Sequence, residues 1–307
     1  MILALNVMAL IRALPGAFAQ GMIWGIMALG VYITYKILNF ADLTVDGTLA
    51  TGGAVAVMCI LAGVPTPIAL VVACMAGMAA GLMTGFLHTT LGIPDILAGI
   101  LSQIALYSIN LNIMGRSNVA VSVDQFPLIV SLRYIPRAIL TTGIFIAVII
   151  GALYWLLGTE AGFTIRATGC NQHMARAQGV NTNRAKMAAL IISNGLVGLA
   201  GGMYAQYQGN ADVNMGRGSI VIGLAAVIIG MVIGEAIFGK KMNFIARMVF
   251  VVIGAVIYYV VITFVLWLGL PSEDMKLFSA IVVAIFLAVP YLRGKKKSSF
   301  RKAGGSR

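Results

Sequence analysis

Asp42 and Asp46 stand in LNFADLTVDGTLATGGAVAV, Leu38 to Val57, a stretch otherwise rich in Leu, Val, Thr, Ala and Gly. Carboxylates this close to an apolar run are costly and face protein interior or water, so lining a polar pathway is one chemistry open to them. If the stretch is helical, their four-residue spacing puts both on one face. The plainer reading sets them at a membrane boundary, where Asp42 caps the following helix and binds nothing, while Asp46 stays open to either role. Gly47, Gly52 and Gly53 would let the helix approach another closely or break where it lines a cavity. A second polar set, Ser102, Gln103, Ser108, Asn110 and Asn112, interrupts a later apolar run. Gln103 and Asn110 are seven apart and share a face, which suits both a water-facing stripe and interhelical hydrogen bonding.

The third concentration is TEAGFTIRATGCNQHMARAQGVNTNRAK, Thr159 to Lys186, where Arg166, Arg176, Arg184 and Lys186 face a single acid, Glu160. Met174 and Ala177 are three apart, and Gln172, Arg176 and Gly179 follow on another face, which predicts a short helix ending at Gly179. Asn181 or Asn183 then starts the next helix, an asparagine side chain accepting from free backbone N–H groups. Two readings fit: a cytoplasmic helix offered to a soluble partner, or a basic loop that fixes orientation.

Other chemistries lack their residues. No G-x-S-x-G or H-E-x-x-H occurs, so neither a strained-turn serine nor a helical zinc protease is signalled. Gly234, Gly239, Lys240 and Lys241 approach a phosphate loop, but Lys241 stands where Ser or Thr is needed and an apolar helix precedes. Nucleotide hydrolysis therefore belongs to another chain. Cys59, Cys74, Cys170, His88 and His173 lack metal-ligand spacing. Glu235, one turn before Lys240 and Lys241, reads as a boundary residue paired with one of those lysines, with a proton relay as the alternative.

The elements that position these residues follow from composition. A chain of 307 residues that is 60% hydrophobic and 10% charged, with mean hydropathy +0.99 and several apolar runs of about twenty residues, is an all-α polytopic membrane protein. The net charge of +12 would suggest nucleic acid in a soluble protein, but the basic residues cluster in short loops and at the tail, as cytoplasmic retention requires. No nucleic-acid partner is expected, and no cleavable signal peptide stands out. Residues 1–14 read as an interfacial or partly inserted helix, 15–292 as the membrane domain, and 293–307 as a basic cytoplasmic tail. Spans are expected near 15–37, 67–87, 95–114, 138–157, 187–207, 220–238, 243–270 and 276–292, with the 38–57 stretch between the first two. The 116–137 loop could hold a small amphipathic segment, and the 208–219 loop reads as flexible and aqueous. Gly77, Gly81 and Gly85, and the set Gly195, Gly198, Gly201 and Gly202 beside Asn194, mark faces for close helix crossing.

Three stretches carry a resemblance. ILNFADLTVDGTLATGGAVAV, GFTIRATGCNQHMARAQGVNTNRAKMAALIISNGLVGLAGGMYA and SIVIGLAAVIIGMVIGEAIFG resemble the second helix, the coupling segment with its following helix, and the later glycine-rich helix of binding-protein-dependent permeases, the family that includes branched-chain amino acid and ribose importers. The similarity extends over most of Phe18 to Leu292 and is most specific in the coupling segment. It implies about 8–10 membrane helices in a type II-like ABC importer permease, placed in a bacterial cytoplasmic (inner) membrane.

The implied partners are two ABC ATPase subunits, an extracytoplasmic substrate-binding protein, a second permease copy and membrane lipid. No cofactor is implied on this chain, ATP and Mg²⁺ being held by the ATPase. Carried over by position, Cys170 to Gly179 would dock in the ATPase groove, with Met174, Ala175 and Arg176 central, and with Asn171, Gln172, His173 and Gln178 in the same docking set. Arg166 would lie near the membrane edge. The implied translocation path includes Asp42, Asp46 and Thr48, with Gln103, Asn110 and Asn194 as further candidates. The subgroup that this chain most resembles accompanies lipoprotein-type binding proteins, some assigned to aromatic amino acids such as tryptophan or tyrosine. Branched-chain permeases carry a different polar pair at Asp42 and Asp46, which points away from a branched-chain substrate. A sugar or nucleoside is the alternative substrate, and a stand-alone secondary transporter or channel the alternative class.

Overall fold

The computed structural model describes residues 7–239 and 242–268, with isolated positions 277, 280, 281, 284 and 288. The first six residues, Lys240, Lys241, most of the expected 276–292 span and the basic tail lie outside the described residues. Among the described residues, seven helices are long and apolar enough to cross a membrane.

Helix α1, Val7–Val31, passes through Pro15 without a break and continues as a π-helical turn, Tyr32–Ile37. Residues 7–14 and the first span are therefore one helix, because neighbouring membrane helices can support the backbone groups a proline frees. The others are α2, Val45–Leu61; α3, Thr66–Thr89; α4, Asp95–Met114; α5, Ile135–Leu157; α6, Glu160–Cys170; α7, Gln172–Ala177; α8, Thr182–Gln208; α9, Ser219–Phe238; and α10, Phe244–Trp267. Short loops make successive spans antiparallel, so α6 and α7 mark one end of the bundle. The other end carries a small antiparallel sheet, β1, Asn118–Ala120, against β2, Asn210–Asp212, in register Val119 to Ala211. Both loops thus take part in pairing, and the 208–219 loop is not free and aqueous. Gly216 sits against the backbone of Asp46, and Met215 packs over Gly53.

Helix α2 is the short central element, packed on α3, α4 and α8. Its Gly, Ala and Thr side chains are small enough for backbones to meet. Gly198 lies where three helices cross: a Cβ there would come within 2.6 Å of the Ala73 carbonyl oxygen and 2.9 Å of the Gly77 Cα. A Cβ on Gly52 would in turn strike the Gly198 backbone. The two glycine faces foreseen separately on α3 and α8 are thus partly each other's contact surface, as close packing in lipid requires. Gly198→Leu is expected to destabilise by about 1–3 kcal/mol, because the obstruction is backbone that cannot rotate away. Thermal unfolding of the solubilised chain should show this loss and none for Gly151→Leu, where nothing lies within 4 Å.

Candidate functional site

After the π-turn, Asn39 takes φ 55°, a left-handed conformation that asparagine tolerates better than most residues. The reversal sends Phe40 edge-on to the His88 ring, with centroids 5.0 Å apart, and turns Asp42 inward. One Asp42 carboxyl oxygen accepts from the Thr44 N–H at 3.0 Å, and the other from Asn194 Nδ2 at 2.7 Å. Asp42 therefore caps the turn before α2 rather than the helix, and it does bind a partner. The expected common face is also absent, because Asp42 precedes the helix while Asp46 lies in its first turn.

Asn194 continues the network: its Oδ1 accepts from Thr48 Oγ1 at 2.7 Å, and its Nδ2 also reaches the Leu190 carbonyl. A hydroxyl chain runs from Thr44 through Thr84 (2.7 Å) to Ser102 (2.8 Å), tying the 41–44 turn to α3 and α4. Asp42, Thr44, Thr48, Thr84, Ser102 and Asn194 are all buried. Fully satisfied networks of this kind fix one arrangement of the elements they join.

Asp46 does something different. Its carboxylate accepts from the N–H groups of Gly218 and Ile220 and from the Ser219 hydroxyl, at 2.8–2.9 Å. The N-cap position of α9 is Gly218, which has no capping side chain of its own. Asp46 therefore supplies that cap from α2, with its charge at the positive end of the α9 dipole. Asp46→Ala is expected to cost about 1–2 kcal/mol and to speed amide exchange in the first turn of α9, while Asp46→Ser retains part of the protection.

Beside this cap lies a cavity of about 320 Å³ lined by Asp46, Gln103, Tyr107, Ser108, Asn110 and Arg217, among others. The seven-residue spacing does bring Gln103 and Asn110 to one cavity wall. Asn110 is 0% exposed, and neither its Oδ1 nor its Nδ2 has a hydrogen-bond partner. A second cavity, of about 520 Å³, is bordered by Gln20, Trp24, Tyr204, Tyr259 and also Arg217. The six pathway candidates thus divide: Asp46, Gln103 and Asn110 meet at the first cavity, while Asp42, Thr48 and Asn194 form the buried network. Sequence reasoning missed Tyr107 and Arg217. Arg217 carries no local signal, since the β1–β2 pairing, the Asp46 cap and the Met215 and Gly216 contacts with α2 bring its loop into the bundle.

At the opposite end, α6 starts at a Thr159 cap and lays Gly169 against the Ile37 carbonyl, where a Cβ would clash. Asn171 caps α7 by accepting from the Met174 N–H at 3.0 Å, and Asn181 caps α8 by accepting from the Arg184 N–H at 3.1 Å. α7 ends through Gly179 at φ 81°, the left-handed stop that the sequence predicts. Met174 is 65% exposed, and His173, Arg176 and Gln178 are also exposed. Gln172 is half-buried, and Ala175 is turned inward, so of the central trio only Met174 and Arg176 are presented. Arg176 Nε donates to Thr182 Oγ1 at 2.8 Å, joining α7 to α8. The Arg166 guanidinium lies over the Phe163 ring, 5.1 Å from its centroid, with Phe244 at 6.0 Å.

His88 proves more than a boundary residue. Lys186 Nζ lies 3.0 Å from its Nε2, and the Ile93 carbonyl 2.8 Å from its Nδ1. A lysine can only donate, so Nε2 accepts and the proton resides on Nδ1. Glu235 is exposed, and its expected lysine partners lie outside the described residues.

A family model described as "Branched-chain amino acid transport system / permease component" matches residues 14–290. The chain is 39% identical over 283 residues to a tyrosine transport system permease protein of Clostridioides difficile, covering 92% of this chain and 93% of the relative. It is 35% identical to an uncharacterized protein of Rickettsia prowazekii, covering 89% and 95% of the two chains. It is 29% identical to a galactofuranose transporter permease protein of Escherichia coli, covering 81% and 71%.

Proposed function

This chain belongs to the branched-chain amino acid transport permease family, and from that premise we propose that it is the membrane subunit of an ATP-driven importer for an amino acid, with aromatic side chains favoured. The observation that carries the reading is α7, a six-residue helix capped by Asn171 and stopped at Gly179, presenting Met174 and Arg176 to a partner. Two ATPase subunits holding ATP and Mg²⁺ dock there, and an extracytoplasmic binding protein delivers solute at the sheet end. The chain is a multi-pass membrane protein, and its membrane is the bacterial cytoplasmic one.

A second copy completes the unit. Tyr107 and Ser108 are exposed on α4 among Leu101, Ile104 and Leu111, and polar groups at that depth face protein or a water-filled path rather than lipid. Closure of the ATPase subunits moves α6 and α7 as a rigid lever. The backbone contacts at Gly169, Gly198 and Gly52 pass the shift to α2, giving alternating access by rocking of packed helices.

The amino acid reading draws support from the tyrosine transport relative. A sugar is the second reading, favoured by the galactofuranose relative. Proteoliposomes holding this chain, its ATPase and its binding protein test the proposal. Uptake of L-tyrosine that requires ATP hydrolysis supports it, and equal uptake without the ATPase overturns it in favour of a secondary transporter.

A further inference from the structure

We propose that the cavity between α2, α4 and the 213–218 loop binds the α-carboxylate and α-ammonium of an amino acid in transit, with Arg217 and Asn110 setting specificity. The proposal rests on the importer reading above and names the chemistry of its path.

The argument starts from what the cavity leaves unpaired. Asn110 offers one acceptor and two donors in a fully buried position without a protein partner, and such groups are rare unless something else satisfies them. Asp46 is already occupied, both oxygens accepting from the start of α9. Arg217 is not: among the described residues the one salt bridge joins Arg133 and Asp124. The charge left to act on a solute is therefore a cation in a fork geometry that matches a carboxylate.

Arg217 is exposed at the cavity, so it can exchange water for a carboxylate, which an amino acid offers and a neutral sugar does not. The amino acid's carboxylate pairs with Arg217. Its ammonium finds acceptors in Gln103 and the Ser108 hydroxyl, with Asp46 on the same wall, and the buried Asn110 Oδ1 joins them by a rotation of its side chain. Ile104 and the Tyr107 ring supply an apolar wall for the side chain. A volume of about 320 Å³ stands at the small end of the range for small-molecule sites, about 300–1,000 Å³.

The complete importer in proteoliposomes, with radiolabelled L-tyrosine and D-ribose as probes, tests this. Arg217→Gln is expected to cut tyrosine uptake roughly tenfold or more, as when a site loses its partner for a substrate's polar group. Arg217→Lys recovers part of the uptake. Asn110→Leu is expected to lower uptake while leaving the chain at least as heat-stable as the wild type, because it removes an unpaired buried amide. A merely structural asparagine would show the reverse on both counts, and that result overturns the proposal. So does wild-type uptake by Arg217→Gln, or a wild-type importer that carries ribose and no amino acid; the ribose result leaves the ATP-driven reading standing. Tyrosine uptake that needs no ATPase but is lost in Arg217→Gln upholds the site and overturns the drive.

Discussion

Asn194→Leu is expected to lower the melting temperature of the solubilised chain far more than Asp42→Asn, and Asp42→Leu combined with Asn194→Leu to recover much of the loss. The reason lies in what each change leaves behind. Leucine nearly matches asparagine in bulk, but it strips Asp42 of its 2.7 Å donor and Thr48 of its side-chain acceptor inside a dry network. Removing one partner of a buried carboxyl group costs about 3 kcal/mol or more. In Asp42→Asn the remaining oxygen still accepts from Thr44, and a flipped Asn194 amide can turn its oxygen toward residue 42 and its nitrogen toward the Thr48 hydroxyl, giving up only its 3.1 Å bond to the Leu190 carbonyl. That exchange costs only about 1 kcal/mol. The double leucine variant removes both buried polar partners together, which packed cores tolerate well. A thermal-melt double-mutant cycle reads the coupling directly. Strict additivity of the two leucine changes would mean that the Asp42–Asn194 bond does not hold the 41–44 turn in place.

Much of this architecture is legible in the chain because lipid imposes it. Apolar runs, Pro94 before Asp95, Gly179 after α7 and Asn181 before α8 each have a local physical cause, and each gives the boundary observed. The glycine faces announce close contact, though not which helices meet. What escapes local reading depends on distant partners. Asp42 and Asp46 share a spacing, but a left-handed Asn39 turns one into the core, while the other meets a helix start more than 170 residues further on. The β1–β2 pairing joins loops about ninety residues apart, and that pairing, the Asp46 cap and the Met215 and Gly216 contacts with α2 carry Arg217 to the cavity. Asn110 was visible as one face of a polar stripe. Its lack of a partner, the property that makes it informative, exists only once the neighbours are in place.

The segment proposed to dock the ATPase gives the largest expected functional effect. Arg176→Glu reverses the charge on the presented face of α7 and breaks its bond to Thr182. Truncating an anchor at the centre of an interface costs about 2 kcal/mol or more in binding, and a reversed charge adds repulsion wherever the partner groove is acidic. Binding-protein-dependent ATP hydrolysis is therefore expected to fall by at least about tenfold on the same grounds. Membrane insertion stays intact, because the residue is exposed outside the apolar spans. Gly179→Val acts through the backbone instead. At φ 81° a β-branched residue costs about 1–2 kcal/mol, so the stop between α7 and α8 distorts and the lever loses its fixed angle while its charge is unchanged. The two variants separate contact from stiffness: Arg176→Glu weakens ATPase association in co-purification, whereas Gly179→Val keeps association and uncouples hydrolysis from uptake. Unchanged stimulation in both would place the ATPase contact elsewhere on the chain.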